Sequence, residues 1–142
     1  MSRPTHDQYF LQMLNLVASR ATCGRRQVGA IIVSERNQIL STGYNGVPKG
    51  LNHCIDLPCP GATDKKGDTS RCEAIHAEMN AIIQCHRLDL AHTIYVSCTP
   101  CFVCAKVIAN TPIQRIVAWK RYADLNGERI LLRANIQVDV IK

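Results

Sequence analysis

Five short apolar, β-rich runs alternate with segments of helical period, and this alternation restricts the chain to a sheet covered by helices. Thr5 and Gln8 have capping-box spacing, and Phe10, Met13, Leu14 and Val17 recur behind them at helical spacing, which predicts a helix over about 6–20. VGAIIV (28–33) and ILSTGY (39–44), joined by SERNQ, predict a β-hairpin. EAIHAEMNAIIQC (73–85) predicts a helix with an apolar stripe through Ile75, Met79, Ile82 and Ile83. TIYVS (93–97) reads as a strand, CFVCAKVIANT (101–111) as a helix opened by Pro100, and RIVAW (115–119) as a strand. A last helix near 124–134 leads into the strand IQVDVI (136–141). The expected order is α-β-β-α-β-α-β-α-β. At 142 residues the chain can enclose one core but not two, so residues 1–142 are read as a single domain.

The segment 45–72 departs from this rhythm. It is rich in Gly, Pro, Asp and Cys, and an unstructured loop of that length in a small domain is usually functional or pinned. No apolar run is long enough to span a membrane, and MSRPTHDQYF lacks the apolar centre of a secretion signal, so a cytoplasmic protein without a membrane partner is expected. Disulfides are disfavoured in that compartment, so the eight cysteines read as metal ligands or reactive groups. The net charge of +6 suits an anionic partner. The positive charges are scattered, apart from Arg25–Arg26 and Lys120–Arg121. One Trp, four Tyr and two Phe leave little to stack on an extended nucleic acid, which is not expected as a partner.

SCTPCFVC (97–104) carries the chemistry. Cys101 and Cys104 stand three apart at a helix start, where they share a face and the helix dipole favours thiolates. Together they can clamp a zinc ion. Cys98 precedes Pro100 at a strand end and should point elsewhere. His76 is the natural third ligand, and three ligands would leave one position open, as a catalytic zinc requires. Glu78, two residues on, can stay off the metal yet reach a bound water only if the helix points end-on at the ion. A fourth protein ligand would instead make a closed, structural site.

H-A-E followed by P-C-x-x-C is the signature of the zinc deaminases. VGAIIV, STGYNGVPKG, HAEMNAI and TPCFVC together resemble the deoxycytidylate deaminases over roughly residues 8–140. The resemblance implies a cytidine deaminase-like three-layer α/β/α sandwich with a five-stranded mixed sheet. It implies zinc-dependent hydrolysis of dCMP to dUMP and ammonia, with dUMP passing to thymidylate synthesis. Glu78 would take the proton of the attacking water, give it to ring N3 and later protonate the departing amine. Asn45, Ala77 and Tyr122 match substrate contacts, and Arg25 and Arg26 could reach the phosphate. Family members are often hexamers, activated by dCTP and inhibited by dTTP at a site involving Gly43, Tyr44, Asn45 and Gly46, with Mg2+ on the triphosphate. Some hold a second, structural zinc. Here Cys23 and His53 fall at such positions, and Cys59 and Cys72 would complete the tetrahedron. Of the neighbours His53 and Cys54, only one should bind. Cys85 reads as core, and His6, His86 and His92 read as surface residues.

Two other functions compete with this expectation. One is a deaminase of tRNA or single-stranded DNA, and the other is a non-catalytic zinc module in which Glu78 is only a solvated helix residue.

Overall fold

The computed structural model describes residues 2–141. Its helices are α1 (His6–Ala18), α2 (Ala77–Ile83), α3 (Phe102–Ala109) and α4 (Asn126–Arg133). Its strands are β1 (Gly29–Ser34), β2 (Ile39–Tyr44), β3 (Ala91–Cys98), β4 (Arg115–Lys120) and β5 (Gln137–Val140), and one 3-10 turn covers Leu88–Leu90. The order matches the expected one, and most element ends fall within about two residues of their sequence-predicted limits. The helix at 73–85 is the exception: it starts four residues late, at Ala77.

Local chemistry explains several of these limits. Thr5 and Gln8 close the capping box that starts α1: Gln8 N donates to Thr5 Oγ1 (3.2 Å) and Thr5 N donates to Gln8 Oε1 (2.9 Å). Pro100 lies just ahead of α3, whose N-cap is Cys101. Ile75, expected to open the second helix, instead pairs with Gly46 in an isolated bridge.

The sheet runs β2-β1-β3-β4-β5. β1 is antiparallel to both neighbours, whereas β3, β4 and β5 are parallel. Side chains alternate across it. Ile31, Val33, Tyr95 and Val117 face α1 and its Phe10, Leu11 and Leu14. Ala30, Ile32, Ile94, Val96, Ile116 and Ala118 face the other way, against Ala77 and Ala81 of α2, Ala105 and Ile108 of α3 and Leu131 of α4. One helix thus covers one face and three cover the other, giving the three-layer α/β/α sandwich with a five-stranded mixed sheet. Each fully buried Ile on the two faces contributes about 1.5–3 kcal/mol. No helix among the described residues is long and apolar enough to cross a membrane.

Of the apolar stripe predicted for the second helix, Ile82 packs against the core but Ile83 does not. Ile83 is 72% exposed, and α2 buries Ala77, Glu78 and Ala81 instead. The reason is close approach. A Cβ on Gly43 of β2 would lie 2.4 Å from both Ala77 O and Ala81 N, so only small residues fit between strand and helix. Gly43→Ala should push α2 off the sheet and cost about 1–3 kcal/mol, measurable as a lowered denaturation midpoint. An unchanged midpoint would show that α2 is not seated this tightly.

Candidate metal centre

The start of β1, the ends of β2, β3 and β4, and the N-termini of α2 and α3 all meet at one end of the sheet. In mixed α/β sheets, crevices form outside the carboxyl ends of parallel strands. Here the crevice is a cavity of about 220 Å³ whose wall includes Asn45, His76, Glu78, Cys101 and Tyr122.

His76 is the N-cap of α2 and Cys101 the N-cap of α3, so both helices point their first turns at the same spot. Cys101 lies outside α3, one position earlier than the shared helical face assumed. Its sulfur accepts the Cys104 backbone N–H at 3.5 Å, and that cap turns the two sulfurs toward each other. His76 Nδ1 lies 3.3 Å from Cys104 Sγ and 3.5 Å from Cys101 Sγ. A tetrahedral zinc with ordinary bond lengths separates its nitrogen and sulfur ligands by about 3.5 Å, so the three donors fit the ion. Among the described residues this is the one group of three His, Cys, Asp or Glu side chains whose ligand atoms all lie within 4.8 Å. Cys98 ends β3 and lines the cavity but is outside the group.

The two adjacent thiols differ in acidity. The Cys101 thiol is lowered to about 4, chiefly by its contact with Cys104 and then by His76. Cys104 is driven upward by the Cys101 sulfur beside it and by burial. His76 is raised by Cys101. Glu78 is 5% exposed and its carboxyl is raised by burial, with His76 opposing.

The structure places the remaining predicted residues as follows. Asn45 is buried: its Oδ1 accepts Val28 N–H at 2.9 Å and its Nδ2 donates to Arg26 O at 3.0 Å. Ala77, Tyr122, Arg25 and Arg26 also line the cavity. The Arg26 guanidinium lies 5.8 Å from the Tyr122 ring centre. Of the GYNG segment, only Asn45 reaches the cavity. Gly43 is held against α2, Gly46 against Thr22, and Tyr44 is half-buried at the end of β2.

The residues expected around a second zinc are placed as follows. His53 is exposed, whereas its neighbour Cys54 is 2% exposed and lies beside Cys59. Cys72 in turn lies beside Cys59 and Cys23. Backbone N–H groups lie near these sulfurs: Arg25 N donates to Cys23 Sγ at 3.4 Å, and those of Glu73 and Ala74 stand by Cys59 and Cys72. Cys59 is thereby lowered, first by the Glu73 N–H, while burial raises Cys72. Cys85 packs against the core as expected, and His6 and His86 are exposed. His92 departs from expectation: it is half-buried, with Nδ1 2.9 Å from Thr93 Oγ1.

Two positioning residues gave no signal in the sequence. Thr99 Oγ1 accepts Tyr122 N–H at 2.7 Å and so sets that ring at the cavity mouth. Gly127 lets α4 approach the loop before α3, since a Cβ there would lie 2.2 Å from Pro100 O.

Comparisons agree with this geometry. A family model described as the cytidine and deoxycytidylate deaminase zinc-binding region matches residues 4–120. The deoxycytidylate deaminase of Mycobacterium phage D29 is 42% identical over 124 residues, covering 82% of this chain and 96% of that protein. The deoxycytidylate deaminase of Saccharomyces cerevisiae is 35% identical over 144 residues, and the match spans 97% of this chain but 45% of the yeast protein. The dCMP deaminase of cyanophage S-TIM5 in complex with dCMP and dUMP superposes with a TM-score of 0.78 at 23% identity, over 99% of this chain and 100% of that one. That last likeness concerns the fold.

Proposed function

The chain belongs to the cytidine and deoxycytidylate deaminases, and from that premise we propose that it hydrolyses dCMP to dUMP and ammonia. One observation carries the reading: three grouped metal-ligating side chains, with no fourth in the group among the described residues, next to a buried carboxylate. A zinc ion held by His76, Cys101 and Cys104 would acidify a water at the remaining position. Glu78, at the second residue of α2, takes a proton from the attacking water as its oxygen bonds to C4 of the cytosine. It passes that proton to ring N3. It then takes the remaining proton from the hydroxyl on C4 and gives it to the amine as that oxygen becomes the carbonyl and the C4–N4 bond breaks, and ammonia leaves. Burial of Glu78 supports this role over that of a solvated helix residue, and so argues against a non-catalytic zinc module.

Asn45 and Ala77 form the wall against which the nucleoside would rest, Tyr122 flanks it, and Arg26 beside Tyr122 supplies positive charge for a phosphate. The phage D29 relative, matched over nearly its full length, supports dCMP as the substrate. Tyr122 is the single aromatic lining the cavity, which favours a mononucleotide over a stacked polynucleotide strand. We assign Cys23, Cys54, Cys59 and Cys72 to a second, structural zinc, with Cys54 in the place first given to His53. Resemblance through the GYNG segment supports a hexamer activated by dCTP and inhibited by dTTP with Mg2+, working in the cytoplasm to supply dUMP for thymidylate synthesis.

The test is ammonia release from dCMP, CMP, deoxycytidine and an RNA hairpin. Turnover of dCMP well above deoxycytidine is expected. Activity confined to the hairpin would refute the substrate.

A further inference from the structure

The adjacent cations Arg25 and Arg26 look equivalent in sequence, yet the fold uses them differently. Arg25 lines the cavity but its guanidinium is engaged by the loop 59–72: its Nε donates to Ala62 O at 3.3 Å and its Nη2 to Asp64 O at 2.5 Å. These two carbonyls occupy a fork that would otherwise receive an anion. Asp64 in turn orders the loop, accepting Lys66 N–H at 3.0 Å and Asp68 N–H at 2.6 Å. The same loop supplies Thr69 and Cys72 to the cavity wall. Among the described residues no carbonyl takes up the Arg26 guanidinium, which lies near Cys98. The carbonyl of Arg26 is held by Asn45, and its guanidinium stands by Tyr122 at the cavity.

Resting on the reading of this cavity as a mononucleotide site, we infer that Arg25 is a positioning residue. It latches the loop 59–72 to the segment after α1, and Arg26 alone receives the substrate phosphate. The latch does not act by itself. Ile55 N donates to Thr22 O at 3.1 Å, Thr22 N donates to Asn45 O at 3.1 Å, and Cys72 lies beside Cys23 between the same two segments. Of these ties, Arg25 is the one that reaches the loop's middle. Removing it frees Thr69 and Cys72 from the cavity wall without removing the phosphate's own cation.

The experiment compares Arg25→Ala, Arg25→Lys and Arg26→Ala by hydrogen exchange of residues 60–70 without substrate, by kinetics with dCMP and deoxycytidine, and by zinc content. Arg25→Ala should speed exchange in 60–70 and raise KM for dCMP about tenfold, with the loss falling on KM rather than kcat. Arg25→Lys should not rescue it, because an ammonium cannot span both carbonyls. Arg26→Ala should raise KM for dCMP with exchange in 60–70 unaltered, and should narrow the preference for dCMP over deoxycytidine. A raised KM in Arg25→Ala with unaltered exchange, or rescue by Lys, would make Arg25 a phosphate ligand and overturn the proposal. So would normal KM and exchange. If no form turns over dCMP, the substrate reading fails, while the exchange result still reports on the latch.

Discussion

Glu78→Gln should reduce kcat by about 10²–10⁴-fold while zinc content stays at the wild-type level. Glutamine keeps the shape of the buried side chain but cannot accept the proton of the attacking water. Glu78 is not one of the three grouped ligands, so the metal has no reason to leave. The His76–Cys101–Cys104 geometry depends on two helix N-caps and should survive the change. Turnover at the wild-type rate would remove Glu78 from the acid–base role. Loss of zinc together with turnover would make it a ligand or a structural support. Metal analysis beside steady-state kinetics separates the three cases.

Arg115→Ala should lower stability by about 3 kcal/mol, as for the loss of one partner from a mostly buried ion cluster. Arg115 at the start of β4 grips Asp7 with two bonds, Nη1 to Oδ1 at 2.9 Å and Nη2 to Oδ2 at 2.8 Å, and reaches Asp139 of β5 through Nε at 2.9 Å. Tyr95 donates its hydroxyl to the same Asp7 Oδ1 at 2.7 Å. The cluster fastens α1 to three strands at the end of the sheet away from the cavity. Its side chains are 23–32% exposed, so unpaired carboxylates would be left poorly solvated. The Arg115 hydrogen bonds hold the Asp7 carboxyl below its ordinary 3.8, against the opposing effect of burial. A carboxyl lowered by folding stabilises fully above its unfolded value and loses that contribution as pH falls through its folded value. The wild-type protein should therefore lose stability from about pH 4 downward, and Arg115→Ala should show a shallower acid limb. Urea denaturation across that range measures both. Equal slopes for the two proteins would show that Asp7 draws nothing from Arg115.

Much of this fold is legible in the sequence because its signals are local. Hydrophobic period distinguishes strand from helix within a few residues, and the Thr5–Gln8 box starts a helix wherever the chain goes. The metal trio is legible for a similar reason. C-x-x-C and H-x-E bring donors together within a turn, and only the meeting of two helix starts must be supplied by the fold. Errors arose where the answer depends on distant chain. Ile83 of the α2 stripe faces outward because Gly43, more than thirty residues earlier, draws the helix so close that Ala77 and Ala81 take the tightest contacts and Ile82 is only part-buried. His92 was placed at the surface, but a half-buried position beside Thr93 is set by how β3 lies in the sheet.

Within the chain alone, the residue types and their spacing determine the order of elements and the chemistry available at two helix starts, because capping, periodicity and ligand spacing act over a single turn. Only the tertiary structure decides which of His53 and Cys54 turns inward and which of Arg25 and Arg26 is bonded to the carbonyls of the loop 59–72. Those choices hang on the path of the loop 45–72. That path is set by hydrogen bonds to carbonyls and sulfurs far away in sequence, which no local pattern encodes.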